Sequence, residues 1–510
     1  MSKRQAIWTV VMLGAAFCRL DAQDSAPDSQ PNSASQPAAA FGQENAPAPV
    51  SQNPPLSGID LPSLVPEAAP LSYLQPSATM SESLDSNAAN LPGQSSFHSI
   101  TRGLGNLTLK RLWRNYDLAV DYSGGAGYYS LRGQGAKLLQ EMALDQKIKW
   151  KRGQLSLRDN FSYLPEGNFG QAYGSSTGIG SLEGTSFAPF FGGNSLGTFG
   201  LAPRIVNVSL ADLSENLTPK SAITAAAGYG FTHFYGSDVS TGTNFIGTSQ
   251  LSVQLGYNRF LNSRTQMALV YGHQVFDFSV VGTALHSDVV ELLYGHSLSG
   301  RMDLLIGAGP QIISIDSQAA VCSDPTVPLF FCQALGDTLS SVANKDHRLG
   351  VTVQSRLRYK FPKTSLTLKY IRLETGGSGL FAGAQSDIAT LSANRPLSRV
   401  WSAFADIGYH RSARTQSLTQ DQVQQCTTAI NAGQITTCPA NDATNYASGF
   451  LGGGLQRSLG RTLRSFFSYQ FNEFAFDRSY CLQAGPCNRI SNRSVITFGL
   501  DWTPRPIRID

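Results

Sequence analysis

The stretch HRLGVTVQSRLRYKF, His347 to Phe361, alternates apolar and polar residues along its length. Leu349, Val351, Val353, Leu357, Tyr359 and Phe361 share one parity, and Arg348, Thr352, Gln354, Arg356, Arg358 and Lys360 share the other. Successive side chains of a strand point to opposite faces, so this spacing predicts a strand with one oily and one wet, basic face. The end of the chain repeats the pattern, with Ile496, Phe498, Leu500 and Trp502 against Val495, Thr497, Gly499 and Asp501. A third copy sets Trp401, Ala403, Ala405, Ile407 and Tyr409 against Ser402, Asp406 and His410. The patterned runs cover roughly ten to fifteen residues, beyond the usual five or six of a globular strand. Tilted membrane strands need about that length.

An internal repeat extends the reading. SENLTPKSA, NRFLNSRTQ, GHSLSGRMD, YKFPKTSLT, NRPLSRVWS and QRSLGRTLR each place an apolar anchor before a tight polar turn, at Leu217, Leu261, Leu298, Phe361, Leu397 and Leu459. Between consecutive anchors the chain has room for one strand out, one loop of variable length and one strand back. Short turns on one side and long loops on the other are the habit of transmembrane barrels. The expected fold is therefore all-β: an antiparallel up-and-down barrel of about 16 strands, within 14 to 18, between residues 97 and 510. The even count puts both termini on the short-turn side, and closure removes the sheet edges that lipid cannot satisfy. A soluble propeller would repeat near 40 residues with a fixed blade signature, whereas the anchor spacing here swings widely. Tyr122, Trp150, Tyr163, Tyr257, Tyr271, Tyr359, Tyr370, Tyr409 and Trp502 suit interfacial girdles.

The N-terminal 22 residues place Lys3 and Arg4 before an apolar run from Ala6 to Phe17, with Ala22 as a small cleavage-site residue. That is a secretory signal layout, and the run is too short to span a bilayer. Phe17 before Cys18 argues against lipidation of that cysteine. Residues 23–96, rich in Ser, Pro, Ala and Gln, read as a disordered periplasmic arm, with Leu61 to Leu74 as its most apolar stretch. Cys322 with Cys332, Cys426 with Cys438 and Cys481 with Cys487 form close couples, and local disulfides are the simplest pairing in an oxidising compartment. Without a nearby His or a CxxC spacing, no metal is expected.

The 39 Lys and Arg against 35 Asp and Glu give +4, and no basic block stands out, so nucleic acid is not an expected partner. No phosphate-binding loop, HExxH helix or GxSxG elbow occurs in a credible context, and no cofactor is expected. Gly452 to Gly454 fall inside an expected strand and suit curvature or close packing. Ser386 and His410 would face each other if the turn at Leu397 sets that register, which raises a barrel hydrolase as the least favoured function. The basic row Arg348, Arg356, Arg358 and Lys360, with Lys369 beyond the next turn, belongs against water, because charges facing hydrocarbon cost about 2–4 kcal/mol each. A positive strip in a lumen favours anions, unless Asp145, Asp387 and Asp406 neutralise it.

The tail RSVITFGLDWTPRPIRID, with Ile496, Phe498, Leu500 and Trp502, resembles the closing strand by which the barrel-assembly machinery recognises outer-membrane barrels. It departs from that pattern in the eight residues after Trp502 and in Thr497 where a Gly is often found. Residues 100 to 510 resemble the porin-type outer-membrane barrels of diderm bacteria, some of which are similar to barrels associated with exopolysaccharide export. The resemblance implies an outer-membrane location among lipid and lipopolysaccharide, and transfers no functional residue. Three functions follow as expectations: a passive, weakly anion-preferring pore for small solutes, an envelope-assembly or polysaccharide-export barrel, and a lipid hydrolase. The Gly-rich segment Glu166 to Gly200 is the longest expected loop, external or folded into the lumen.

Overall fold

The computed structural model describes residues 72–87, 96–130, 135–164, 204–235, 246–278, 282–322, 339–361, 364–376, 381–415, 445–476 and 489–509. The expected signal peptide, most of the arm and the Gly-rich loop lie outside them. So do five of the six paired cysteines and the Cys322 side chain.

Eighteen long strands follow one another around a single closed sheet. They are β1 (Tyr73–Asp85), β2 (His98–Leu112), β3 (Tyr116–Tyr129), β4 (Gly135–Lys149), β5 (Gly153–Leu164), β6 (Arg204–Thr218), β7 (Ser221–Phe234), β8 (Thr248–Asn262) and β9 (Thr265–Phe278). The second half comprises β10 (Thr283–Ser299), β11 (Met302–Cys322), β12 (Leu339–Lys360), β13 (Ser365–Thr375), β14 (Ala384–Pro396), β15 (Trp401–Arg414), β16 (Asn445–Ser458), β17 (Leu463–Phe476) and β18 (Ile490–Trp502). A two-residue β19 (Ile507–Arg508) follows. Each long strand pairs antiparallel with its sequence neighbour, and β1 pairs with β18 to close the ring.

The closed antiparallel barrel and the alternation are as expected, and the eighteen strands fall at the upper end of the expected 14 to 18, two beyond the central count of sixteen. The two additional strands are β1 and β2, and β1 lies inside the segment read as a disordered arm, so the barrel starts at Tyr73 and not at 97. β1 carries Ser, Thr and Gln on its inner parity and a Pro at 76, a composition that hides a strand until its partners are present. An added hairpin leaves the parity unchanged, so an even count could not expose the omission. The eight residues after Trp502 continue down the seam: Ile507 and Arg508 pair with Leu74 and Tyr73 at the base of β1.

The parity of the opening stretch is the parity of the wall. Leu349 and Val351 are 83% and 52% exposed, whereas Thr352 between their neighbours is 7% exposed. Leu251, Leu255, Leu269, Leu292, Ile306, Ile407, Phe498 and Leu500 continue this exposed apolar face round the barrel. Gln250, Gln254, Gln274, Gln311 and Gln470 lie on the opposite, inner face. An oily exterior, a polar interior and no free edge describe a membrane-spanning barrel. Among the described residues no helix is long and apolar enough to cross a membrane. Gly454 shows why a side chain is absent there: a Cβ would stand 2.6 Å from the Phe404 ring and from the Phe467 carbonyl oxygen.

Eight turns of two to four residues join the strands at one end, and nine connections, all but one of them longer, join them at the other. All six anchors stand at short turns. Two more turns, after Leu112 and after Lys149, use Trp113 and Trp150 in the anchor position.

Candidate functional site: the lumen and its mouth

The basic strip lies on the inner face. Arg348, Arg356 and Arg358 share the parity of Thr352, and register places Lys369 of β13 directly across from Arg356. Lys360 ends β12 in the same parity, and its side chain lies outside the described residues. The strip is partly neutralised, though not by the acids expected. Arg358 reaches Asp303 at 2.9 Å and Arg348 reaches Asp346 at 3.0 Å. Asp387 instead accepts a hydrogen bond from the Tyr370 hydroxyl at 2.8 Å and stands 3.8 Å from Arg372. Asp145 lies near Lys147 on β4, and Asp406 sits on β15, so neither is on a strand adjoining β12. Among the described residues no carboxylate pairs with Arg356.

Between Arg348 and Arg356 the inner wall of β8 to β13 lines a cavity of about 50 Å³, with Gln254, Gln274, Glu291, Gln311, Thr352 and Gln354 among its walls. That volume holds a few waters. Glu291 accepts a hydrogen bond from Gln354 Nε2 at 2.9 Å, and Gln311 donates to Ser287 at 2.7 Å. The ladder between β10 and β11 skips the residues opposite Gly309 and Pro310. Pro310 has no N–H to donate, and a Cβ on Gly309 would sit 1.8 Å from the Val290 carbonyl oxygen. The wall is pinched beside Glu291.

Towards the long-loop end the inner face becomes apolar. Phe276, Phe278, Leu285, Ile313 and Ile315 cluster with Ile246 and with Ala382 from the β13–β14 connection. Phe381, next in that connection, packs on the inward ring of Tyr446 at 5.5 Å, and Tyr446 stacks on Phe474 at 5.0 Å. The connection therefore touches β9 to β11 through Ala382 and β16 through Phe381. These walls lie several strands apart, so Phe381 and Ala382 form an apolar chord inside the mouth. Gly383 turns the chain there with φ +86, a conformation L side chains rarely adopt.

Hydroxyls tie the base of this chord. Thr375, Ser386, Ser412 and His410 form a run of hydrogen bonds of 2.8, 2.9 and 2.8 Å. Register pairs Ser386 with Ser412, two residues from the His410 partner entertained from sequence. The difference arises in the four-residue turn 397–400, where Ser398 Oγ accepts from the N–H groups of Val400 and Trp401. Ser386 and Ser412 are 0% exposed and His410 is 2% exposed, which leaves a substrate no approach to the pair. Among the described residues no three His, Cys, Asp or Glu side chains gather as a metal site.

No protein family and no curated protein matches the chain. Solved structures do. Pseudomonas aeruginosa OccK2 (OpdF) in complex with glucuronate is similar at 9% identity and TM-score 0.38, over 85% of this chain and 98% of that one. Acinetobacter baumannii OccAB3 is similar at 8% identity and TM-score 0.38, over 84% and 99%. Pseudomonas aeruginosa OprD is similar at 9% identity and TM-score 0.36, over 84% and 95%. Similarity at this level transfers no residue, ligand or function to the chain.

Proposed function

We propose that the protein is an outer-membrane channel, not an enzyme, through which small polar solutes pass by diffusion with a weak preference for anions. The observation that carries the reading is the closed eighteen-strand wall, apolar outside and amide-, hydroxyl- and charge-lined inside. Barrels of about 16–18 strands are wide enough to enclose an aqueous channel. Arg356 facing Lys369 supplies the anion preference, because paired cations on one wall lower the barrier for negative solutes. Glu291, higher on the same wall, keeps the preference weak. The apolar chord at the mouth sets the size limit. Lipid, lipopolysaccharide and the barrel-assembly machinery are the partners this location entails.

Planar-bilayer recording of the purified protein tests the proposal. Discrete conductance with a reversal potential displaced towards chloride in a KCl gradient is the expected result. Absence of conductance overturns the channel, and cation selectivity overturns the role of the strip.

A further inference from the structure

The short-turn end of the barrel is basic in its turns. The seven short turns whose residues are all described contain Arg114, Lys151, Arg152, Lys220, Arg264, Arg301, Arg399 and Arg461, and no Asp or Glu. The eighth, between β12 and β13, adds Lys363 in sequence. The connections at the other end carry Glu166, Glu183, Asp238, Asp324, Asp337, Asp421, Asp442 and Asp477 against Arg132, Arg478 and Arg489. In a chain close to neutral overall, the sequence thus gives the short turns bases and the other connections mostly acids.

The basic residues of the seven turns are all exposed, and none forms an ion pair among the described residues. The turns themselves hold these residues at the rim. Thr218, Asn262 and Ser299 each accept a hydrogen bond from the backbone N–H two residues on, at 3.2, 2.8 and 3.3 Å. The donors are Lys220, Arg264 and Arg301, so three basic side chains are set by the same local device. Beside this ring stand the anchors: Trp113, Trp150, Leu217, Leu261, Leu298, Phe361, Leu397 and Leu459 are all exposed. Trp401 and Trp502 lie at the same end, which collects every tryptophan of the described barrel. Arg111 lies over the Trp113 ring at 4.9 Å and Arg457 over the Trp401 ring at 5.3 Å. Amphipathic rings seat at the headgroup level of a bilayer, and basic residues at that level attract anionic headgroups.

From these observations we infer that the short-turn end is a collar for anionic phospholipid headgroups, with the anchors and tryptophans in the acyl boundary and the turn cations on the phosphates. The inference rests on the membrane-spanning part of the proposed function and is independent of conductance. The collar binds lipid whether or not the lumen passes solute.

The test uses the full chain folded in vesicles of phosphatidylcholine mixed with phosphatidylglycerol, and counts the lipids retained on the gently extracted protein by native mass spectrometry. The wild type should retain phosphatidylglycerol several-fold above its share of the mixture, and less as salt rises. The combined variant Arg264→Gln, Arg301→Gln, Arg399→Gln and Arg461→Gln should lose at least about fivefold of that enrichment, since one surface cation is worth roughly that factor. The same four positions changed to Lys should keep it, and Arg132→Gln at the opposite end should leave it unchanged. Heat-modifiable gel mobility reports folding in each case, and if the fourfold Gln variant does not fold, Arg264→Gln with Arg301→Gln takes its place. Retention at the mixture ratio by the wild type, or undiminished enrichment in the Gln variant, overturns the collar. Because conductance is a separate readout, failure here is distinguishable from failure of the channel.

Discussion

The long-loop end and the short-turn end build with the same alternation and use it in opposite directions. At the long-loop end large apolar side chains turn inward: Phe276, Phe278, Leu285, Tyr446 and Phe474 are fully or almost fully buried. At the short-turn end they turn outward, as Trp113, Trp150, Phe361 and Trp502 do, with turn cations beyond them that form no ion pair among the described residues. The difference shows that the wall by itself is neutral scaffolding. One end meets its own chain and becomes a constriction, while the other meets a lipid surface and becomes a mooring.

The sharpest way to break this contrast is at the seam. Asp85 on β1 and Arg493 on β18 face each other at the long-loop end, with Arg493 Nε 2.8 Å from Asp85 Oδ2 and both side chains buried. Asp85→Ala would strand a buried guanidinium and should cost about 3–5 kcal/mol, read as a lower urea midpoint for the folded barrel. The solvent-facing pair of Asp117 and Lys149 near the other end is the control, and Asp117→Ala should cost about 1 kcal/mol or less. Equal losses would erase the distinction between the two ends.

The constriction gives the next largest effect. Phe381→Ala removes the ring seated on Tyr446 and should raise single-channel conductance severalfold while lowering stability by about 3–5 kcal/mol. Unchanged conductance would place the narrow point elsewhere. Arg356→Gln should act on selectivity and spare stability, moving the reversal potential towards that of potassium with little change in unfolding. Ser412→Ala breaks the link between Ser386 and His410 and should cost about 1–3 kcal/mol by leaving buried partners unsatisfied, with no effect on conductance. A change in hydrolysis of an ester substrate in that variant would reopen the reading of the pair as chemistry.

Most of the wall was legible because its signal is local. In His347 to Phe361 every second residue declares its face, and the anchor–turn repeat marks where the chain reverses. β1 escaped because Pro76, Ala78 and Glu82 interrupt the apolar outer parity of Leu74, Met80 and Leu84, and because it follows a long Ser- and Pro-rich stretch. Its identity as a strand comes from β2 and β18, far away in sequence. The candidate site was legible in one part only. The parity of Arg356 and Lys369 could be read, as could Asp346 two residues before Arg348 on the same face, but the partner Asp303, the offset of Ser386 from His410 and the inward chord at Phe381 could not. Each depends on register across strands or on a connection folding back over the mouth.

Sequence by itself determined that this protein is a wall with an oily and a wet side, reversed by short basic turns, because side-chain direction in a strand follows from backbone geometry one residue at a time. The tertiary structure alone decided that the wall closes through β1, that Arg358 meets Asp303 and that Phe381 packs inside the mouth on Tyr446. Closure, charge pairing and lumen filling are contacts between residues tens to hundreds of positions apart, and no local pattern encodes which of them meet.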